Sequence, residues 1–209
     1  NIYLISHGWA TFTNLDGDAE PDILATTTYG FGWMKKIAPT QFSAVFNITQ
    51  KLDIPKEILS SDFENDGDPD LFAEGYVFRN LGSGNYAEKQ KSAESGSRTF
   101  RGDLDGDGLK DLARPFGDSI SWRKNLGTGQ FSQPILLPGL VTSCKEIGGG
   151  DLDADGDLDL FAANGTDALA VNARFYWFEN DGKGHFEGHL LESGIQLCSG
   201  AFALDVIDR

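Results

Sequence analysis

DLDADGDLDL at Asp151–Leu160 and DLDGDGLKDL at Asp103–Leu112 are two copies of one ten-residue phrase. Looser copies, NLDGDAEPDI at Asn14–Ile23 and DFENDGDPDL at Asp62–Leu71, complete a set of four that start 48, 41 and 48 residues apart. Counted within each phrase, oxygen-bearing side chains fall at positions 1, 3, 5 and 9. Glycine stands at position 6 in three copies, and Ala19 takes its place in the first.

Side chains at alternate positions of a curled loop converge on one point, and the backbone carbonyl at position 7 can close the cage. An all-oxygen cage of this kind suits calcium, which takes about six to eight oxygen ligands, better than magnesium, which keeps its waters. The expected ligands in the third loop are Asp103, Asp105, Asp107 and Asp111 with the Leu109 carbonyl. In the fourth they are Asp151, Asp153, Asp155 and Asp159 with the Asp157 carbonyl. The second loop offers Asp62, Glu64, Asp66 and Asp70, with Asp68 at position 7. The first offers Asn14, Asp16, Asp18 and Asp22, with Glu20 at position 7. Asn14 removes a charge and Ala19 makes the turn harder to form, so the first loop should bind most weakly. About four Ca2+ ions are expected. An EF-hand is excluded, because position 12 is Ala25, Ala73, Arg114 or Ala162 rather than a bidentate Glu. Asp and Gly also favour ordinary β-turns, but that alone does not put four copies in phase with a strand pattern.

That pattern is all-β. Each phrase is preceded by a short strand (Ala10–Thr13, Glu57–Ser60, Arg98–Arg101, Lys145–Gly148) and followed by an apolar one at Ile23–Ala25, Leu71–Ala73, Leu112–Ala113 and Leu160–Ala162. An aromatic strand comes next: Phe31–Met34, Tyr76–Phe78, Ile120–Trp122 and Phe175–Phe178. Then N-x-G-x-G-x-aromatic recurs at Asn80–Tyr86, Asn125–Phe131 and Asn180–Phe186, where paired glycines supply the positive φ of a tight hairpin. The first repeat has only Pro39–Phe42 there. Final strands at Pro134–Leu137 and Gly188–Leu191 make four per unit. Four antiparallel strands every 40–50 residues is the signature of a β-propeller blade. The repeats run 7–52, 53–92, 93–140 and 141–195, with a partial unit at 196–209. Two end segments, Ile2–Ser6 and Ala201–Arg209, fit a piece of a larger propeller better than a small closed ring.

The combination of these acidic phrases with an aromatic strand and N-x-G-x-G-x-F resembles the FG-GAP/VCBS repeat family, the calcium-binding blades of integrin-α-like propellers. The resemblance spans essentially the whole chain. It implies a β-propeller whose Ca2+ loops join the first two strands of each blade. Its members serve adhesion, sugar binding, and domains of secreted polysaccharide-acting enzymes.

Among the 209 residues the net charge is −15, and 18 of the 32 acidic residues lie inside the four phrases. That balance argues against nucleic acid or an anionic membrane as partner, and no apolar run of about 18 residues could span a bilayer. The start, NIYLISHGW, shows no basic n-region or cleavage site. Cys144 and Cys198 stand at equivalent places in adjacent repeats, leaving open a disulfide in an oxidising compartment or two buried thiols. Asn47 and Asn164 begin glycosylation sequons. Together these favour a secreted protein. No nucleophile motif is present, and His185 and His189, four apart in a Gly-rich hairpin, lack a helix to align them. The expectation is therefore a calcium-bearing extracellular recognition module with a glycan or protein ligand. The alternatives are the propeller domain of a polysaccharide lyase or hydrolase, and a structural spacer. The loop Ala163–Ala173 and the tryptophans Trp33, Trp122 and Trp177 are the places to look for a ligand, although their recurrence points first to packing between blades.

Overall fold

The computed structural model describes residues 10–27, 30–49, 55, 58–91, 98–139, 141, 144–164 and 173–195. These contain strands and no helix, so no helix is long and apolar enough to cross a membrane. In the first repeat β1 (Ala10–Thr13), β2 (Asp22–Thr27) and β3 (Gly30–Met34) are followed by a small hairpin of β4 (Lys36–Ala38) and β5 (Gln41–Phe42). β6 (Phe46–Asn47) then returns to pair with β3. The second repeat is β7 (Ile58–Ser61), β8 (Asp70–Ala73), β9 (Tyr76–Phe78) and β10 (Gln90–Lys91). The third is β11 (Phe100–Gly102), β12 (Asp111–Phe116), β13 (Ser119–Arg123) and β14 (Ile135–Leu136). The fourth is β15 (Cys144–Gly150), β16 (Asp159–Asn164), β17 (Ala173–Asn180) and β18 (Phe186–Ile195). Each repeat forms one four-stranded antiparallel sheet whose neighbours follow chain order. The end segments expected as strands, Ile2–Ser6 and Ala201–Arg209, lie outside the described residues, as does Cys198, on which the choice between a disulfide to the buried Cys144 and two thiols turns.

Contacts gather the chain into two compact units, Asn1–Ser97 with Gly127–Gln130, and Arg98–Leu126 with Phe131–Arg209. In the first unit the faces of two sheets meet over Leu15, Leu24, Phe31, Trp33, Ile58, Leu71, Ala73 and Phe78. Phe31 and Phe78 meet edge to face across that seam, with ring centroids 5.0 Å apart. The second unit repeats the arrangement with Leu104, Ile120, Trp122, Leu160 and Phe178. Each fully buried leucine, isoleucine or phenylalanine among them contributes about 1.5–3 kcal/mol relative to exposure. A single repeat has no second face to cover its own apolar side, so the pair of sheets is the smallest unit with a core.

The hairpin glycines do two jobs. Gly82, Gly84, Gly127, Gly129, Gly182 and Gly184 all have positive φ. In two of the three pairs the second glycine also admits the neighbouring sheet. A Cβ on Gly84 would overlap the indole of Trp33, and one on Gly184 would overlap that of Trp122. Both indoles are 4% exposed, which makes them packing residues rather than free ligand platforms. The sequon at Asn164 also changes meaning. Its side chain is buried and its carbonyl oxygen accepts the Arg174 N–H at 2.8 Å, so no glycan can be carried there, whereas Asn47 is exposed.

Gly84→Ala should therefore lower unfolding stability by about 3 kcal/mol, combining a left-handed φ with overpacking against a buried ring. Urea unfolding followed by tryptophan fluorescence would read the shift in midpoint.

Candidate metal loops

All four acidic loops connect the first two strands of a sheet, and the same hydrogen bonds shape each of them. The ninth-position carboxylate is buried in every case: Asp22, Asp70 and Asp111 are 0% exposed and Asp159 is 1%. One of its oxygens accepts the N–H of loop position 2, from Leu15 (2.9 Å), Phe63 (3.0 Å), Leu104 (2.9 Å) or Leu152 (3.0 Å). The other accepts an N–H just past the third strand or at its end, from Lys36 (3.0 Å), Asn80 (2.8 Å), Asn125 (2.7 Å) or Asn180 (2.9 Å). Position 1 caps the turn from its other side. Asp103 accepts from Gly106, Asp107 and Gly108, Asp62 from Asp66 and Gly67, and Asp151 from Asp155 and Gly156. Asn14 accepts only from Gly17.

The turn needs two left-handed residues. Position 6 is Ala19 (φ 69°), Gly67, Gly108 or Gly156, as the spacing implied. Position 4 is Gly17, Asn65 (φ 57°), Gly106 or Ala154 (φ 65°), a requirement the sequence reading did not identify. Ala154 thus places a strained residue in one of the two cleanest phrases.

Oxygen donors converge most closely in the third and fourth loops. Ligand atoms of Asp103, Asp105 and Asp111 lie within 4.8 Å of one another, as do those of Asp151, Asp153 and Asp155. Among the described residues no trio of acids converges as closely in the first or second loop. Asp105 and Asp157 each keep a buried Oδ1 without a hydrogen-bond partner. An orphaned buried carboxylate oxygen is costly unless a cation meets it, so these residues fit a hard divalent ion. Asp157 also turns its side chain toward Gly182, where an added Cβ would meet its Oδ2 at 3.0 Å.

Four basic side chains, none of them singled out from sequence, reach into the loops. Lys35 Nζ pairs with Asp16 and, at 2.9 Å, with Asp18, while Lys36 Nζ pairs with Glu20 at 2.6 Å. Arg79 Nε donates to Glu64 at 2.5 Å. Lys124 Nζ pairs with Asp105 and, at 2.8 Å, with Asp107. These carboxylates hold the Lys35 and Lys124 ammonium groups above their ordinary pKa, and Lys35 in turn lowers that of Asp18. Burial pushes Asp70 and Asp111 up to about 6, outweighing the two amide bonds each accepts. Burial and the neighbouring carboxylates, Asp155 and Asp159 foremost, push Asp157 up to about 6. Both described histidines pair with acids: His185 with Asp181 and His189 with Glu179, each at 2.9 Å.

Residues 103–162, from the third loop through most of β16, match the FG-GAP-like repeat, so this segment is an FG-GAP-like repeat, as the phrase resemblance implied. No curated protein matches the chain. Among solved structures it is similar to an Agrocybe aegerita lectin described as specifically recognising non-reducing terminal N-acetylglucosamine. Identity there is 18% and the TM-score 0.65, over 88% of this chain and 51% of the lectin. It is also similar to the V. cholerae biofilm matrix protein Bap1, at 16% identity and a TM-score of 0.50, over 85% of this chain and 27% of that protein. At these identities the likeness is one of fold, and the chain spans only part of either relative.

Two outcomes are expected. Ala19→Gly should stabilise the fold by about 0.5–1 kcal/mol, the relief of a left-handed alanine less the entropy of the added glycine, read as a higher urea midpoint. Calcium affinity should weaken as pH falls through about 6, because Asp70 and Asp111 take up protons there and a ligating carboxylate must be ionised. Calorimetry in buffers of different ionisation enthalpy should show more protons released per ion at about pH 5.5 than at about 7.5.

Proposed function

We propose that this chain is a calcium-stabilised extracellular recognition module whose ligand is a glycan. The observation that carries the ligand class is a cavity of about 260 Å3 in the first unit, beside the first acidic loop. Phe46, 51% exposed, packs against Trp33 with ring centroids 5.0 Å apart and the rings tilted by 31°, and forms the cavity's apolar wall. Asp16, Lys35, Ser83 and Asn85 supply the polar rim. A sugar ring presents a C–H face to an aromatic side chain and hydroxyls to surrounding donors and acceptors, and this lining offers both. Phe46, not the buried Trp33, is the stacking surface.

Calcium enters as structure. The side-chain oxygens at positions 1, 3, 5 and 9 and the carbonyl at position 7 of each loop would hold it, and the orphaned Oδ1 of Asp105 supports that assignment. When bound, the ion neutralises carboxylates that otherwise repel one another and stabilises the folded state by mass action. The exposed sequon at Asn47 and the fold shared with a lectin and a biofilm matrix protein support an extracellular setting.

Terminal N-acetylglucosamine is the first ligand to test, given the lectin's specificity. A glycan array probed with wild type and with Phe46→Ala should show binding that the variant loses by about tenfold or more, the size expected of one aromatic contact. Binding that is indifferent to Phe46, or no glycan retained at all, would refute the site. Adding chelator should lower the melting temperature of the same samples.

A further inference from the structure

We propose that one position on the third strand side of each sheet grades the divalent-ion affinity of the adjoining loop, and that the fourth loop is the tight site. This rests on the calcium reading above. The position is fixed by register. Loop position 10 pairs with Met34, Phe78, Arg123 or Phe178, and the next residue along, Lys35, Arg79, Lys124 or Glu179, stands beside the loop. The residue after that donates its N–H to the ninth-position carboxylate. A one-residue slip would break that bond, so the side chain at the loop is dictated by sequence.

In the first three repeats this residue is basic and is bound to the acids expected to hold the metal. Lys35 bridges positions 3 and 5 of its loop, Lys124 bridges the same pair in the third, and Arg79 takes position 3 of the second. A tethered ammonium or guanidinium and a divalent ion compete for the same oxygens, and each repels the other. The metal must either displace the side chain or share its ligands, and both weaken binding. In the fourth repeat the charge is reversed. Glu179 stands there, held by His189 Nε2 at 2.9 Å. Among the described residues no basic side chain pairs with Asp151, Asp153, Asp155, Asp157 or Asp159. Among the described residues the fourth loop therefore has no internal competitor. In the third loop, by contrast, Asp105 is nine-tenths buried and keeps Oδ1 unpartnered although Oδ2 is taken by Lys124. That oxygen is the donor a metal would gain once the lysine is removed.

The order of filling thus departs from a count of side-chain ligands at positions 1, 3, 5 and 9, which would make the third and fourth loops equal. The test is a calcium titration of the full chain by calorimetry, with native mass spectrometry counting bound ions. Wild type should show one tight step followed by weaker ones. Lys124→Met should convert one weak step into a tight one, a gain of about tenfold or more for a single removed charge at contact distance. Glu179→Lys should weaken the tight step by a similar factor, and Lys124→Arg should leave the profile as in wild type. Melting curves in chelator establish that each variant folds. Calcium binding with steps unchanged by Lys124→Met and Glu179→Lys would overturn the grading while leaving the calcium reading intact. No calcium bound by wild type or any variant would overturn both.

Discussion

A buried carboxylate with both oxygens tied to backbone amides organises every repeat. Asp22, Asp70, Asp111 and Asp159 each open a second strand, yet each also accepts N–H groups from its own loop and from the far end of the third strand. Three segments distant in sequence are thereby held at one point. Without that carboxylate two amides would be left buried and unpaired, at about 1–3 kcal/mol each. The ion itself is not free of penalty, as the raised pKa of Asp70 and Asp111 shows. The two amide bonds that each of these carboxylates accepts offset part of that penalty.

Around this point the repeats diverge in instructive ways. The second, third and fourth follow the third strand with asparagine, each nearly inaccessible to solvent. The first has Lys36, and there the β4–β5 hairpin replaces the glycine turn, with Lys36 pairing Phe42 as Asn80 pairs Tyr86. Ser43 and Ser132 accept the Lys35 and Lys124 amides at 3.0 Å. The two lysines are thus anchored at their backbones as well as at their charged ends.

Much of this was legible in the chain. Strand order and repeat phase follow from apolar alternation and glycine spacing, and β1 and β9 have the bounds that pattern sets. The sequence pattern puts the first strand of the fourth repeat at Lys145–Gly148, whereas β15 runs Cys144–Gly150. Three consecutive glycines look like a loop, but a Cβ on Gly148 or Gly149 would collide with the rings of Phe161 or Phe100. The glycines are there to let aromatic rings lie on the strand. Nothing local reveals that, since the rings come from other strands. The same limit hid the partners of Lys35, Arg79 and Lys124, which are set by register across 15 to 19 residues. The left-handed fourth position was masked because Gly17 and Gly106 occur there beside Asn65 and Ala154, so no single residue type marks it. The wide loop at Ala163–Ala173 falls mostly outside the described residues.

The asparagine side chains carry one more implication. Asn80 Nδ2 donates to the Leu15 carbonyl 65 residues earlier, and Asn180 Nδ2 to the Leu104 carbonyl 76 residues earlier, both at under 3 Å. In each unit, then, the older loop is finished by a carboxamide that leaves the ribosome much later. During synthesis its buried oxygen waits for a donor that has not yet been translated. Assembly within each pair of sheets accordingly has a direction, with the later hairpin acting as the latch on the earlier one.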